Sequence, residues 1–126
     1  MKKLLVAILL CFSFSSFAQT IKQSDGIEVQ RYKIYPTENV HISLKLDTAT
    51  GRIWMVQIGL GDTDAMTAEL NNESLIMSTE EVRAGRFELY PTQNMYNFIL
   101  LDTDKGYTFQ VQWHPDVDKR IITLIW

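Results

Sequence analysis

The 126-residue chain has a single cysteine, Cys11, and it lies within the apolar leading stretch. Everything downstream is therefore without disulfides, thiolate metal sites, cysteine nucleophiles or thiol redox chemistry. Basic residues are also few. Twelve Lys and Arg stand against 15 Asp and Glu, giving a formal charge of −3 and a pI near 5.3. Without a basic field there is little to neutralise phosphates, so nucleic acid is not an expected partner. Histidine is limited to His41 and His114, and neither sits in a helical zinc motif. There is no Gly-x-Ser-x-Gly elbow, no Ser-x-x-Lys pair and no glycine-rich phosphate loop. The chain accordingly reads as a non-enzyme with no cofactor and no metal. At 46% hydrophobic and 11% aromatic residues it has the composition of one ordinary globular domain, and it is too short for two.

The one long apolar run is at the start. Lys2 and Lys3 precede an apolar stretch over residues 4–14, and Ser16 and Ala18 place small residues at −3 and −1 of a cut before Gln19. That is the pattern of a secretory leader. The run is shorter than the ~20 residues needed to span a bilayer. A lipoprotein cleavage at Cys11 would want a small residue where Leu10 stands. Residues 1–18 are thus expected to be a signal peptide, and residues 19–126 a single periplasmic or extracellular domain with no membrane span. Loss of 18 residues, two of them basic, leaves 108 residues with a net charge of −5 and no thiol. Stability must then come from burial, which a domain of this size can supply.

The domain is a duplication. Residues 31–58 align without a gap on residues 86–113 at a constant offset of 55, with 11 of 28 pairs identical. The identities include Arg31/Arg86, Tyr35/Tyr90, Pro36/Pro91, Thr37/Thr92, Asn39/Asn94, Asp47/Asp102, Thr48/Thr103, Gly51/Gly106 and Gln57/Gln112. A period of two in Val40, Ile42, Leu44 and Leu46 marks a strand with those residues inward. Asp47 to Gly51, and Asp102 to Gly106 in the twin, read as hairpin loops in which aspartate bonds backbone amides and glycine takes a positive φ. Equivalent glycines predict similar losses on substitution. Beyond the loop, Trp54, Val56, Ile58 and Leu60 are expected inward, as are Phe109, Val111 and Trp113 in the second copy. Tyr32 and Ile34, with Phe87 and Leu89, are expected inward on the strand before each Tyr-Pro-Thr corner, where proline ends pairing. A fourth strand is expected at residues 73–78 and 120–126. Residues 59–72 read as a polar linker with one helical turn at 65–70.

The LDTATGRIWMVQ and LDTDKGYTFQVQ segments resemble the Leu-Asp-Thr-x-Thr-Gly-x-x-Trp hairpins of small uncharacterised exported bacterial proteins. They are also similar to the Asp-x-x-Thr-Gly hairpins of quinoprotein-type β-propeller blades. Trp54 stands one residue closer to the glycine than in that blade repeat, and the second copy has Lys105 and Phe109 in place of Thr and Trp. The first resemblance implies no activity.

Together these features predict an all-β fold of two four-stranded antiparallel meanders, about residues 26–78 and 82–126. Two arrangements satisfy them: an eight-stranded barrel or sandwich with an internal pseudo-two-fold, its interior filled by the pairs Tyr32/Phe87 and Trp54/Phe109, or two propeller-like blades that oligomerise. Length favours the closed monomer over an oligomer.

The candidate binding residues are Tyr35, His41, Gln57, Tyr90, Tyr96 and Gln112, an aromatic-and-amide set arranged as two related patches and suited to a carbohydrate or protein of the envelope. Asp62/Asp64, Asp102/Asp104 and Asp116/Asp118 have a spacing seen in calcium loops. However, the twelfth position counted from Asp102 is Trp113 rather than an acid, so turn chemistry is the reading. The functional expectation is an exported, non-catalytic binding or interaction module. The alternatives are a small envelope-polymer enzyme using an acid with His41 or His114, and a β-barrel carrying an apolar ligand.

Overall fold

The computed structural model describes residues 28–126; the expected leader and its cleavage point lie outside the described residues. Eight strands run in chain order: β1 (Tyr32–Pro36), β2 (Ile42–Asp47), β3 (Ile53–Gln57), β4 (Met66–Asn71), β5 (Phe87–Pro91), β6 (Asn97–Asp102), β7 (Thr108–Gln112) and β8 (Ile121–Ile125). They form two four-stranded antiparallel meanders, β1-β2-β3-β4 and β5-β6-β7-β8. Neither sheet closes on itself. The two pack face to face as a sandwich, not a barrel.

Most of the duplicated polar identities hold turns. Thr37 Oγ1 donates to the Ile42 carbonyl (2.7 Å) and Asn39 Oδ1 accepts from the His41 amide (2.9 Å). Thr92 and Asn94 repeat both bonds, to Asn97 and from Tyr96, at 2.9 and 3.0 Å. At the other end of each first hairpin, Arg31 grips Asp47 through two nitrogens at 3.2 and 3.1 Å, and Arg86 grips Asp102 at 3.0 and 2.9 Å. The same aspartates cap their loops by accepting from the Ala49 and Asp104 amides, each at 3.0 Å. Thr48 and Thr103 donate their hydroxyls to the Arg31 and Arg86 carbonyls, both at 2.7 Å.

The two loop glycines do have positive φ, +79° at Gly51 and +74° at Gly106, but their surroundings differ. A Cβ on Gly51 would lie 2.8 Å from Leu75 Cδ1, whereas one on Gly106 meets nothing within 4 Å among the described residues. Equal losses are therefore not expected. Gly106→Ala should cost ~1–2 kcal/mol for the left-handed backbone alone, and Gly51→Ala more, because Leu75 must also move. Thermal melts of the two variants check this order.

The fourth strand of the first meander is a correction. It lies at Met66–Asn71, inside the segment read as linker and helical turn, and not at residues 73–78. Its Met, Ala, Glu and Leu favour helices by local propensity. Pairing with β3 overrides this, setting Ala68 opposite Met55 and Thr67 opposite Val56, so the period of two is imposed by the neighbour. Residues 114–126 follow the expectation more closely, with a short 3-10 turn at Val117–Lys119 before β8.

The core joins Ile42, Leu44, Leu46, Ile53 and Met55 of the first sheet to Phe87, Leu89, Phe98, Leu100, Val111 and Trp113 of the second. This overturns half of the expected inward set. Phe87, Leu89, Val111 and Trp113 are buried as expected, but Tyr32 is 51% and Ile34 58% exposed, and β3 buries Ile53 and Met55 rather than Trp54 and Val56. Val40, Ile58 and Leu60 are exposed as well. The reason lies in the relation of the two repeats. Leu44 is buried while its equivalent Ile99 is exposed, and Leu100 is buried while its equivalent Lys45 faces away from the core. The sheets bury opposite faces of the same repeat. A two-fold axis would bring equivalent faces together, so the expected pseudo-two-fold is replaced by a head-to-tail stacking. The aromatic pairs divide accordingly: Phe87 and Phe109 pack in the core, while Tyr32 and Trp54 meet outside it, ring centroids 6.5 Å apart.

Candidate functional site

The six candidate residues do not converge on one place. Tyr35 lies on the inner face of β1, opposite Leu44, and packs against the core. Burial pushes its phenol above the ordinary tyrosine value, partly offset by a backbone hydrogen bond with Leu89 of the facing sheet. Its equivalent Tyr90 is on the outer face of β5, opposite Ile99, and donates its hydroxyl to Glu88 at 2.6 Å. That bond and the carboxylate's charge raise the Tyr90 phenol too. Gln57 is half-buried at the rim of the inner face, opposite Ile42. Gln112 is on the outer face of the second sheet and donates to the Lys119 carbonyl at 2.8 Å, tying down the 3-10 turn. The tyrosine and the glutamine of each repeat thus share a face. In the first repeat that face is covered by the second sheet, and in the second repeat nothing among the described residues covers it.

His41 and Tyr96 occupy equivalent positions in different settings. His41 is half-buried, its Nδ1 has no hydrogen-bond partner among the described residues, and its carbonyl accepts from Ile58 at 3.0 Å. Tyr96 packs its ring 5.1 Å from Trp113 and 5.2 Å from His114. Trp113 in turn donates Nε1 to the Met95 carbonyl at 2.8 Å. Both positions close the ends of strands. The two Tyr-Pro-Thr corners face each other across a cleft of about 200 Å³ lined by Pro36, Thr37, Pro91 and Met95 among others, below the ~300 Å³ at which ligand pockets begin.

The loop that resembles a calcium site already holds a cation. Asp102 takes the Arg86 guanidinium, and that pair is almost wholly buried, with side chains 3 and 4% exposed. Burial alone would push the Asp102 carboxyl up, but Arg86 and the Lys105 and Asp104 amides outweigh it and hold it below the ordinary carboxylate range. Asp104 pairs with Arg83. Glu80 bridges Arg86 and Lys105 at 3.1 and 2.9 Å, and Lys105, the Met77 amide and Arg86 bring its carboxyl down to about 2. Among the described residues no group of three or more His, Cys, Asp or Glu is placed to hold a metal ion.

Two features went unnoticed in the sequence. The outer face of the first sheet carries Tyr32, Ile34, Trp54 and Val56 around Lys45, whose ammonium sits 4.6 Å from the Trp54 ring centroid, with Thr67 and Glu69 along the β4 edge. The outer face of the second sheet carries Tyr90, Ile99, Ile121 and Ile125, all at least 37% exposed. The alternation of each strand held that information, but assigning one face to the core of both repeats concealed it. Among the described residues no helix is long and apolar enough to cross a membrane. Searches against known protein families, curated proteins and solved structures found no match to the chain.

Proposed function

We propose that the chain is an exported, non-catalytic interaction module of the bacterial envelope, and that its contact surface is the outer face of the second sheet. One observation carries this reading. The exposed Tyr90 and Ile99 and the half-buried Gln112 stand at the repeat positions of Tyr35, Leu44 and Gln57, and in the first sheet that face packs against protein. A face with exposed aromatic, aliphatic and amide groups suits a protein or carbohydrate surface. The duplicated polar residues support the same reading, because they are spent on corners and loops.

A pull-down from envelope extract and a glycan screen test the proposal, each run with the parent protein and with the face variant Tyr90→Ala/Gln112→Ala. Capture that the double variant loses supports it. Silence of the folded parent in both assays together with a chain that does not associate with itself, or capture indifferent to the variant, contradicts it. N-terminal sequencing of exported material should begin at or near Gln19; an intact Met1 there would refute the export reading.

A further inference from the structure

We infer that the partner for these faces is a second copy of the chain, stacked head to tail so that the outer face of one chain's first sheet covers the outer face of the next chain's second sheet. This rests on the interaction-module reading and names its partner. The internal contact supplies the template. Inside one chain, the Tyr35, Leu44 and Met55 face of the first repeat meets the Leu89, Leu100 and Val111 face of the second. The faces left over are the same two in reverse. The second sheet offers Tyr90, Ile99 and Gln110 at the positions of the first set, and the first sheet offers Ile34, Lys45 and Val56 at the positions of the second. A contact between unlike faces leaves one of each kind free at the ends, so it repeats, and where the rotation from sheet to sheet closes it forms a ring. Two chains would place four sheets in such a ring, within the range built by radial stacking of four-stranded sheets.

A second observation, in the backbone, points the same way. Within the chain, Thr48 receives the entry of the second repeat: Gly85 N donates to its hydroxyl and Phe87 N to its carbonyl, both at 2.9 Å. Thr48 is wholly buried by that contact and its neighbours. Thr103, its equivalent, has the same anchoring to Arg86 yet is exposed, and among the described residues nothing donates to its carbonyl or hydroxyl. The repeat equivalents of Gly85 and Phe87 are Gln30 and Tyr32, both exposed. Thr103 of one chain and residues 30–32 of the next are the two halves of the bond pair already made at Thr48.

The test is complementation between two face variants. Ile34→Glu blocks the first face and Ile99→Glu the second; both residues are exposed, and far-UV circular dichroism confirms that each variant folds. Tyr32→Glu and Ile121→Glu repeat the experiment should either variant misfold. By sedimentation velocity at micromolar concentration, the parent should be a dimer or a larger closed oligomer. Each variant alone should be monomeric, with association weakened at least ~10-fold. An equimolar mixture should form a one-to-one complex that grows no further, because one good joint remains. A monomeric parent, dissociation by only one of the two variants, indifference to both, or no complementation would each overturn the inference. A monomeric parent that still captures an envelope component through Tyr90 and Gln112 would leave the interaction-module reading in place, which separates the two failures.

Discussion

Trp113→Ala should be the most damaging single substitution in the second repeat, costing ~3–5 kcal/mol. The indole is fully buried, is held by its bond to the Met95 carbonyl, and supports the Tyr96 ring. Truncation removes apolar contacts from the core and leaves the Met95 carbonyl without its donor. Domains of this size have roughly 5–15 kcal/mol in total, so the melting temperature should fall by at least ~12 °C. Its repeat equivalent, Ile58, is 54% exposed, and Ile58→Ala should stay within ~0.5 kcal/mol. Thermal and urea unfolding of the two variants read both values. A large loss at Ile58 would mean that the first repeat buries the face expected from the sequence and not the one described above.

The second large effect is electrostatic. Arg86→Met leaves the Asp102 carboxylate buried without its guanidinium and removes one partner of Glu80, which should cost about 3 kcal/mol at neutral pH. The lower end of the range for broken buried pairs applies because the loop amides still solvate Asp102. Arg31→Met should cost far less, since the Arg31 side chain is 49% exposed. Acid should narrow the gap at Arg86. In the parent, the Asp102 carboxyl is held below its ordinary value of ~4. Its stabilisation is therefore complete above that pH and is lost as pH falls through the depressed folded value. In Arg86→Met, burial acts unopposed by the guanidinium and favours the protonated acid, so lowering the pH helps the variant while it weakens the parent. Urea unfolding from pH 7 to pH 3 should show the two curves converging. A constant gap would show that Arg86 acts through packing alone. The double variant Arg86→Met/Asp102→Leu should recover much of the loss, as removing both charges avoids stranding either.

The duplication, the hairpin loops and seven of the eight strands were legible in the sequence because each rests on a local signal: a repeated Asp-Thr-x-x-Gly, a proline corner, an alternation of two. β4 was not. Its residues are helix formers, and only the β3 edge makes them a strand. The inward face of β3 was hidden for a different reason. Ile53 and Met55 alternate with Trp54, Val56 and Ile58, so both faces are apolar and a period of two fixes the strand without choosing its side. Equivalence between repeats then led to the wrong choice, because it presumes equivalent environments. The candidate site suffered from the same presumption. Tyr35 and Tyr90 are one residue in sequence terms, yet one is part of the inter-sheet contact and the other is free. Composition carries no trace of that division, which arises only when two copies stack with unlike faces together.

The most direct measurement of that stacking is a set of four alanine variants at two equivalent pairs, Leu44/Ile99 and Val56/Val111, unfolded by urea at protein concentrations low enough to keep the chain monomeric. Leu44 and Val111 are buried to the last per cent of their surface, while Ile99 is 37% exposed and Val56 lies on the outer face. The expected result is a crossed pattern: Leu44→Ala loses ~2–5 kcal/mol and Ile99→Ala ~0.5 kcal/mol or less, whereas in the other pair the loss falls on Val111→Ala and spares Val56→Ala. Equal losses within each pair, as two repeats burying the same face would give, would contradict the head-to-tail relation on which the fold and the proposed assembly both stand.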